Sequence, residues 1–234
     1  VGAYYTDKPY YTFPAGEGNV DIVLDKLIAN CSEEAVFTQL SEKEAKYLKE
    51  NFGFNTFVNL DIAEYVYETE KLIKLSGKAY HQKKNHLNSF VKKYQYTFEE
   101  INKENIDEAK KFCLWSIDKY TDRDSERDSI HRLFDNFFEL ELTGAVLKVD
   151  GKIVAVTAGE MLNPETAVIH LEKADVSYSG SYAAINNLFA KNCFSGAKYI
   201  NREEDMGIEG LRKAKQSYRP AFMVNKYMAV KKLH

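Results

Sequence analysis

Gly144-Ala-Val-Leu-Lys-Val-Asp-Gly-Lys-Ile-Val-Ala-Val-Thr-Ala-Gly-Glu-Met161 is the stretch on which the fold turns. Asp150-Gly151 sits between two apolar, β-favouring runs. Asp-Gly at such a place is a strong hairpin signal, because both turn residues must reach positive φ. Strands are therefore expected at residues 144–149 and 153–161. Downstream, residues 167–174 read as a strand, 181–194 as a helix and 198–201 as a short strand. A helix over 207–217 and a last strand over 222–230 follow. Upstream, Ser76-Gly77-Lys78 opens a long helix with Tyr80, Leu87, Phe90, Val91 and Tyr94 inward. Helices also read over 106–120, with Ala109, Phe112, Cys113 and Ile117 on one side, and over 125–139.

Residues 10–14 read as a strand end, 19–28 as a helix and 35–40 as a buried strand. Ser41-Glu42-Lys43-Glu44 is a capping box that opens the next helix. Gly53 suits its left-handed stop, and residues 56–67 are extended. Residues 10–67 and 167–230 thus share one order: strand, helix, strand, helix, strand. The residues themselves do not repeat, so the likeness is one of pattern. The fold class expected is mixed α/β (α+β).

The 234-residue chain is 29% charged and 44% apolar, with a net charge of −3. That is globular composition, and the net charge does not advertise nucleic-acid binding. Cys31, Cys113 and Cys193 are scattered, which argues against a disulfide framework or a zinc site. Reduced thiols fit a cytoplasmic protein. His81 and His86 are five apart, not the four that pairs zinc ligands on a helix, so no metal is expected. No apolar run approaches the roughly 20 residues of a membrane helix.

Helices, then β, β, β, α, β, α, β over 76–234 is the order of a complete GNAT-type acyltransferase domain. Residues 1–75 then read as the C-terminal half of a first such domain, in a tandem arrangement whose front half lies before Val1. Three stretches carry a resemblance to a bacterial family related to the C-terminal domain of phosphatidylglycerol lysyltransferase. They are Leu75-Ser-Gly-Lys-Ala-Tyr-His-Gln-Lys-Lys-Asn-His-Leu87, then His170-Leu-Glu-Lys-Ala174 with Gly180 and Tyr182-Ala-Ala-Ile-Asn186. The third is Tyr199-Ile-Asn-Arg-Glu-Glu-Asp-Met-Gly207, continued by Glu209-Gly-Leu-Arg-Lys-Ala-Lys-Gln-Ser-Tyr-Arg-Pro220. The resemblance implies kinship to enzymes that move an aminoacyl group from a charged tRNA to an acceptor. Three readings stay open. One is an acyl- or aminoacyltransferase acting on an amine or hydroxyl. Another is a non-catalytic module for RNA or an anionic lipid headgroup. The last is an acetyl-CoA-dependent N-acetyltransferase. No cofactor is certain; an aminoacyl-tRNA or acyl-CoA donor is the expected co-substrate. The loop Tyr178-Ser-Gly-Ser-Tyr182 holds Gly180, Ser181 and Tyr182 where a Gly-rich pyrophosphate loop would stand. Its single glycine and bulky Tyr182 weaken the CoA reading.

Asn201-Arg202-Glu203-Glu204-Asp205 follows a strand and precedes a helix, where open sheets place their sites. Strand alternation would put Arg202 and Glu204 on one face and Glu203 and Asp205 on the other. A carboxylate there can deprotonate an amine or hold an ammonium; a helix cap and an ion pair are the plainer alternative. On the helix that follows, Leu211, Ala214 and Tyr218 form the expected inner stripe. Arg212, Lys215 and Arg219 form a cationic end suited to phosphate, or to the helix dipole alone. Tyr218 is a candidate proton donor or a core tyrosine. His170 and Glu172, two apart on a strand, would share a face as acid–base candidates. Residues 71–93 hold seven lysines and no acid. Lys78, Lys83, Lys84, Lys92 and Lys93 are expected to point outward as a basic stripe for RNA backbone or anionic lipid, or as plain solvated surface.

Overall fold

The structure is a computed structural model that describes residues 10–120 and 124–233. The chain divides into two compact units. One comprises Val1–Tyr65, Glu203–Lys215 and Phe222–His234; the other comprises Val66–Arg202 and Gln216–Ala221.

The first unit holds α1 (Val20–Ala29), β1 (Glu34–Leu40), α2 (Glu42–Phe52), most of β2 (Asn55–Glu68), α8 (Glu209–Gln216) and β8 (Phe222–Lys232). Its strand order is β1-β8-β2, with β1 antiparallel to β8. Local chemistry explains the boundaries. Asn19 Oδ1 accepts from the amides of Asp21 and Ile22 at the start of α1. Both halves of the expected capping box form at α2, and Gly53 ends that helix at φ 69°. Leu24, Phe37, Leu40, Leu48 and Phe54 close the core between the helices and the β1–β8 pair.

The second unit carries α3 (Thr69–Lys74), a 3₁₀ turn at Lys78–Tyr80, α4 (His81–Lys93), β3 (Tyr96–Glu100), α5 (Ile106–Tyr120) and α6 (Asp124–Asp135). It continues with β4 (Thr143–Val149), β5 (Lys152–Asn163), β6 (Thr166–Ala174), α7 (Ser181–Asn192) and β7 (Tyr199–Asn201). The expected hairpin is β4–β5, turning at Asp150 (φ 49°) and Gly151 (φ 74°). Strand β3 is additional to the sequence reading; its five residues pair antiparallel with β4. Strands run β7-β6-β5-β4-β3, and only β6–β7 is parallel in this unit.

One sheet face packs on α5 and α6 through Ala109, Cys113, Ile117, Ile130, Phe134, Val156, Ala158 and Leu171. The other packs on α4 and α7 through Phe90, Leu147, Ala155, Ala174, Ala184 and Ile185. Two irregularities position the site. The β6–β7 pairing ends at Val168 and Asn201, although β6 runs on to Ala174. The β5–β6 register also shifts between Ala158/Leu171 and Gly159/Ile169, so His170 is the extra residue of a bulge. The bulge needs a glycine opposite it: a Cβ on Gly159 would lie 2.1 Å from the Val168 carbonyl oxygen. Gly159→Ala should therefore cost about 3 kcal/mol, the upper end for overpacking, because the obstacle is backbone. Denaturant unfolding of wild type and variant measures the difference.

Candidate functional site

In the second unit, the carboxyl ends of β6 and β7 present Glu172 and Arg202. Arg202 Nη2 donates to Glu172 Oε1 at 2.8 Å, and both side chains are nearly buried. Asn186 of α7 donates from Nδ2 to Glu172 Oε2 at 3.1 Å. That bond fixes the amide's orientation and leaves the buried Asn186 Oδ1 as an acceptor with no donor among the described residues. The Arg202 guanidinium lies 4.9 Å from the ring centroid of Tyr218 and 5.7 Å from that of Tyr67. Lys83 Nζ sits 4.4 Å from the Tyr218 ring centroid.

The electrostatics follow from burial. Burial pushes the Lys83 ammonium below the usual lysine range; Arg202 pushes it the same way, and Glu172 opposes. Burial raises Tyr218 to about 12, partly offset by Arg202. Tyr218 therefore stays a protonated donor at neutral pH. Burial alone would drive Arg202 down, but Glu172, Tyr67 and Tyr218 outweigh it and hold the guanidinium charged.

His170 and Glu172 do not share a face, because the bulge intervenes. His170 bonds Glu160 at 3.0 Å and lines a cleft with α6, whereas Glu172 meets α7. Lys83 does not point outward: it turns in toward Tyr218, while Lys78, Lys84, Lys92 and Lys93 are exposed. In the loop before α7, Gly180 (φ 88°) packs on the His86 carbonyl, which a Cβ would approach to 2.3 Å. Ser181 Oγ donates to the Asp175 carbonyl at 2.9 Å. Both residues are thus engaged within the fold. Tyr182 is 40% exposed, with its hydroxyl pushed up by burial of the phenol. Arg219 is exposed and adopts a left-handed φ of 54° before Pro220.

The first unit has its own charged network. Strand β7 ends at Asn201, so alternation does not continue through residues 202–205; Glu203 (φ 55°), Met206 (φ 53°) and Gly207 (φ 71°) are left-handed. Asp205 is fully buried and accepts from Arg212 Nε (2.8 Å) and Nη2 (2.9 Å), Tyr65 Oη (2.6 Å) and the Gly207 amide (2.9 Å). Arg212 also donates to Asp61 at 2.5 Å. Lys215 replaces Ala214 on the inner face of α8; its Nζ donates to the carbonyls of Glu203 (3.2 Å) and Glu204 (2.6 Å). Burial raises the Glu204 carboxyl above the usual range, with Glu203 adding to the rise and Lys215 opposing it.

Burial also pushes the Asp205 carboxyl up, but hydrogen bonds from Arg212, Tyr65 and Gly207 outweigh it and hold it below the usual carboxylate range. A depressed carboxylate stabilises above its unfolded pKa and loses that contribution as pH falls through its folded value. Asp205→Asn should therefore cost about 2 to 4 kcal/mol at pH 7. The gap to wild type should shrink as pH falls below about 4, as unfolding midpoints across a pH series will show.

Sequence reasoning missed Asp61, Tyr65, Asn186 and the inward turn of Lys83. Asp61 and Tyr65 had a signal, since even spacing along a strand places them on one face. Asn186 had another: it is a polar residue within the apolar run of α7.

A parallel β6–β7 pair packed on α7 and this order of elements define a GNAT-like fold, shared by a tandem GNAT protein and by FemX. Over residues 2–230 the chain matches, and belongs to, the family phosphatidylglycerol lysyltransferase, C-terminal. A conserved protein of unknown function from Bacteroides thetaiotaomicron is 37% identical, with a TM-score of 0.81 over 94% of this chain and 78% of that one. The C-terminal domain of a lysylphosphatidylglycerol synthetase from Agrobacterium fabrum is 17% identical, with a TM-score of 0.67 over 94% of this chain and 76% of that one. An uncharacterized protein of Mycoplasmoides gallisepticum is 28% identical over 211 residues, 88% of this chain; the match spans 66% of that relative's length. No helix among the described residues is long and apolar enough to cross a membrane. Among them, no group of three or more His, Cys, Asp or Glu side chains is placed to hold a metal ion.

Proposed function

We propose that the chain is an aminoacyltransferase in which an amine or hydroxyl attacks the ester carbonyl of an aminoacyl-tRNA, in the cytoplasm. The observation that carries this reading is the buried Glu172–Arg202 pair flanked by Lys83 and Tyr218. The nucleophile's lone pair forms the new bond to the carbonyl carbon, and the carbon–oxygen bond to the tRNA ribose breaks. Lys83, its amine made less basic by burial, takes the nucleophile's proton. Arg202 supplies positive field to the developing oxyanion. Tyr218 gives its proton to the leaving ribose oxygen. Glu172 holds Arg202 in place and offers a carboxylate to the ammonium of the aminoacyl group. The membership in the lysyltransferase C-terminal family supports an aminoacyl donor and makes an anionic lipid headgroup a candidate acceptor. The engaged loop at Gly180 and Ser181 favours this donor over a CoA ester.

The domain division belongs to the same proposal. Residues 1–75 are the C-terminal half of one GNAT-like domain and 76–234 a complete second one. The same strand–helix–strand order in β1-α2-β2 and in β6-α7-β7 supports it. A binding-only module remains the second reading, favoured by the exposed Lys78, Lys84, Lys92 and Lys93 on and before α4.

Thermal shift with charged tRNA, acetyl-CoA and a stable aminoacyl-adenylate analogue separates these readings. Stabilisation by charged tRNA and by the analogue is expected. Lys83→Met should leave the melting temperature equal or higher, since a half-buried ammonium is removed, yet lower transfer from lysyl-tRNA at least a hundredfold. Stabilisation by acetyl-CoA alone would reverse the assignment. Tight tRNA binding with no transfer to any amine or hydroxyl acceptor would establish the binding-only module.

A further inference from the structure

On the sheet face opposite Glu172, the bulge aims His170 into a cleft of about 290 Å³ between α6 and the β5–β6 pair. Arg132 and Leu133 of α6, Asn136, Leu140 and Leu142 after it, and Glu160 of β5 complete the lining. The size falls near the lower end of small-molecule pockets, about 300 to 1,000 Å³. The three leucines give it an apolar body, and Leu140 is 55% exposed at its rim. His170 Nε2 lies 3.0 Å from Glu160 Oε1, so one polar pair is formed within the cleft itself. The Arg132 guanidinium, by contrast, has no carboxylate partner among the described residues; Arg127, Arg202 and Arg212 are each paired with one, and Arg219, which lies outside the cleft, is not. An unpaired guanidinium beside an apolar floor suits a planar carboxylate that it can hold through two parallel hydrogen bonds.

We propose that this cleft binds a small monocarboxylate with an apolar body, its carboxylate on Arg132 and its chain against Leu133, Leu140 and Leu142. Glu160 carries the same sign as the ligand and sits on the same wall. Its hydrogen-bond contact with His170 holds it on that wall. The site is independent of the transfer chemistry, because it lies on the other face of the sheet and shares no residue with the Glu172 cluster.

The test is calorimetric titration of the whole chain with 4-methylpentanoate and with its uncharged amide, at matched ionic strength. The carboxylate should bind at least tenfold more tightly than the amide. Arg132→Gln, a change at an exposed helix position, should weaken the carboxylate at least tenfold while leaving the far-ultraviolet circular dichroism unchanged. Glu160→Gln should tighten it several-fold, an outcome that mere disturbance of the fold would not produce. Lys191→Gln on α7 should change nothing. Equal affinity for acid and amide, no binding up to about 10 mM, or an unaffected Arg132→Gln would each overturn the proposal.

Discussion

A guanidinium taken out of water must be neutralised and hydrogen-bonded, or the fold around it fails. Arg202 meets the charge demand where β7 ends: Glu172 carries the opposite charge and accepts from Nη2, and the rings of Tyr67 and Tyr218 lie against the guanidinium. The pair occurs beside the point where β6 and β7 part, a place where an open sheet has no further ladder bonds between those two strands to make. Glu172 in turn fixes the Asn186 amide in the middle of α7, and so ties the strand end to that helix. Removing either charge would leave the other buried and alone, which typically costs about 3 to 5 kcal/mol.

Much of the architecture was legible because it rests on local chemistry. The Asp150-Gly151 turn, the Ser41 capping box and the Gly53 stop each depend on residues within a few positions of one another. The GNAT-like order followed from them. The face assignments beyond the ladders were not legible. Period-two reasoning holds only while a strand stays regular. The bulge at His170 separates it from Glu172, and the left-handed Glu203 breaks alternation after Arg202. Both departures depend on contacts distant in sequence, such as the backbone approach at Gly159.

Lys83 and Lys215 mark a second limit. Charge runs normally face water, and Lys78 and Lys84 do. Lys83, within the same run, turns inward because Tyr218 offers a ring face and Glu172 a compensating charge, neither visible from the helix alone. Lys215 is buried because the loop at Glu203 and Glu204 turns two carbonyls toward it. A scan for helix amphipathicity assigns such residues to the surface; only the tertiary partner reverses it.

The central claim is that the Glu172 cluster receives an aminoacyl ester. The most direct measurement is a crystal structure with 3′-deoxy-3′-lysylaminoadenosine, a stable amide mimic of a charged tRNA terminus. The account predicts ligand density at the carboxyl ends of β6 and β7, with the α-ammonium within about 3 Å of Glu172 and the carbonyl oxygen facing Lys83 or Arg202. Density elsewhere, with the Glu172 cluster empty and its ion pair closed at saturating ligand, would contradict it.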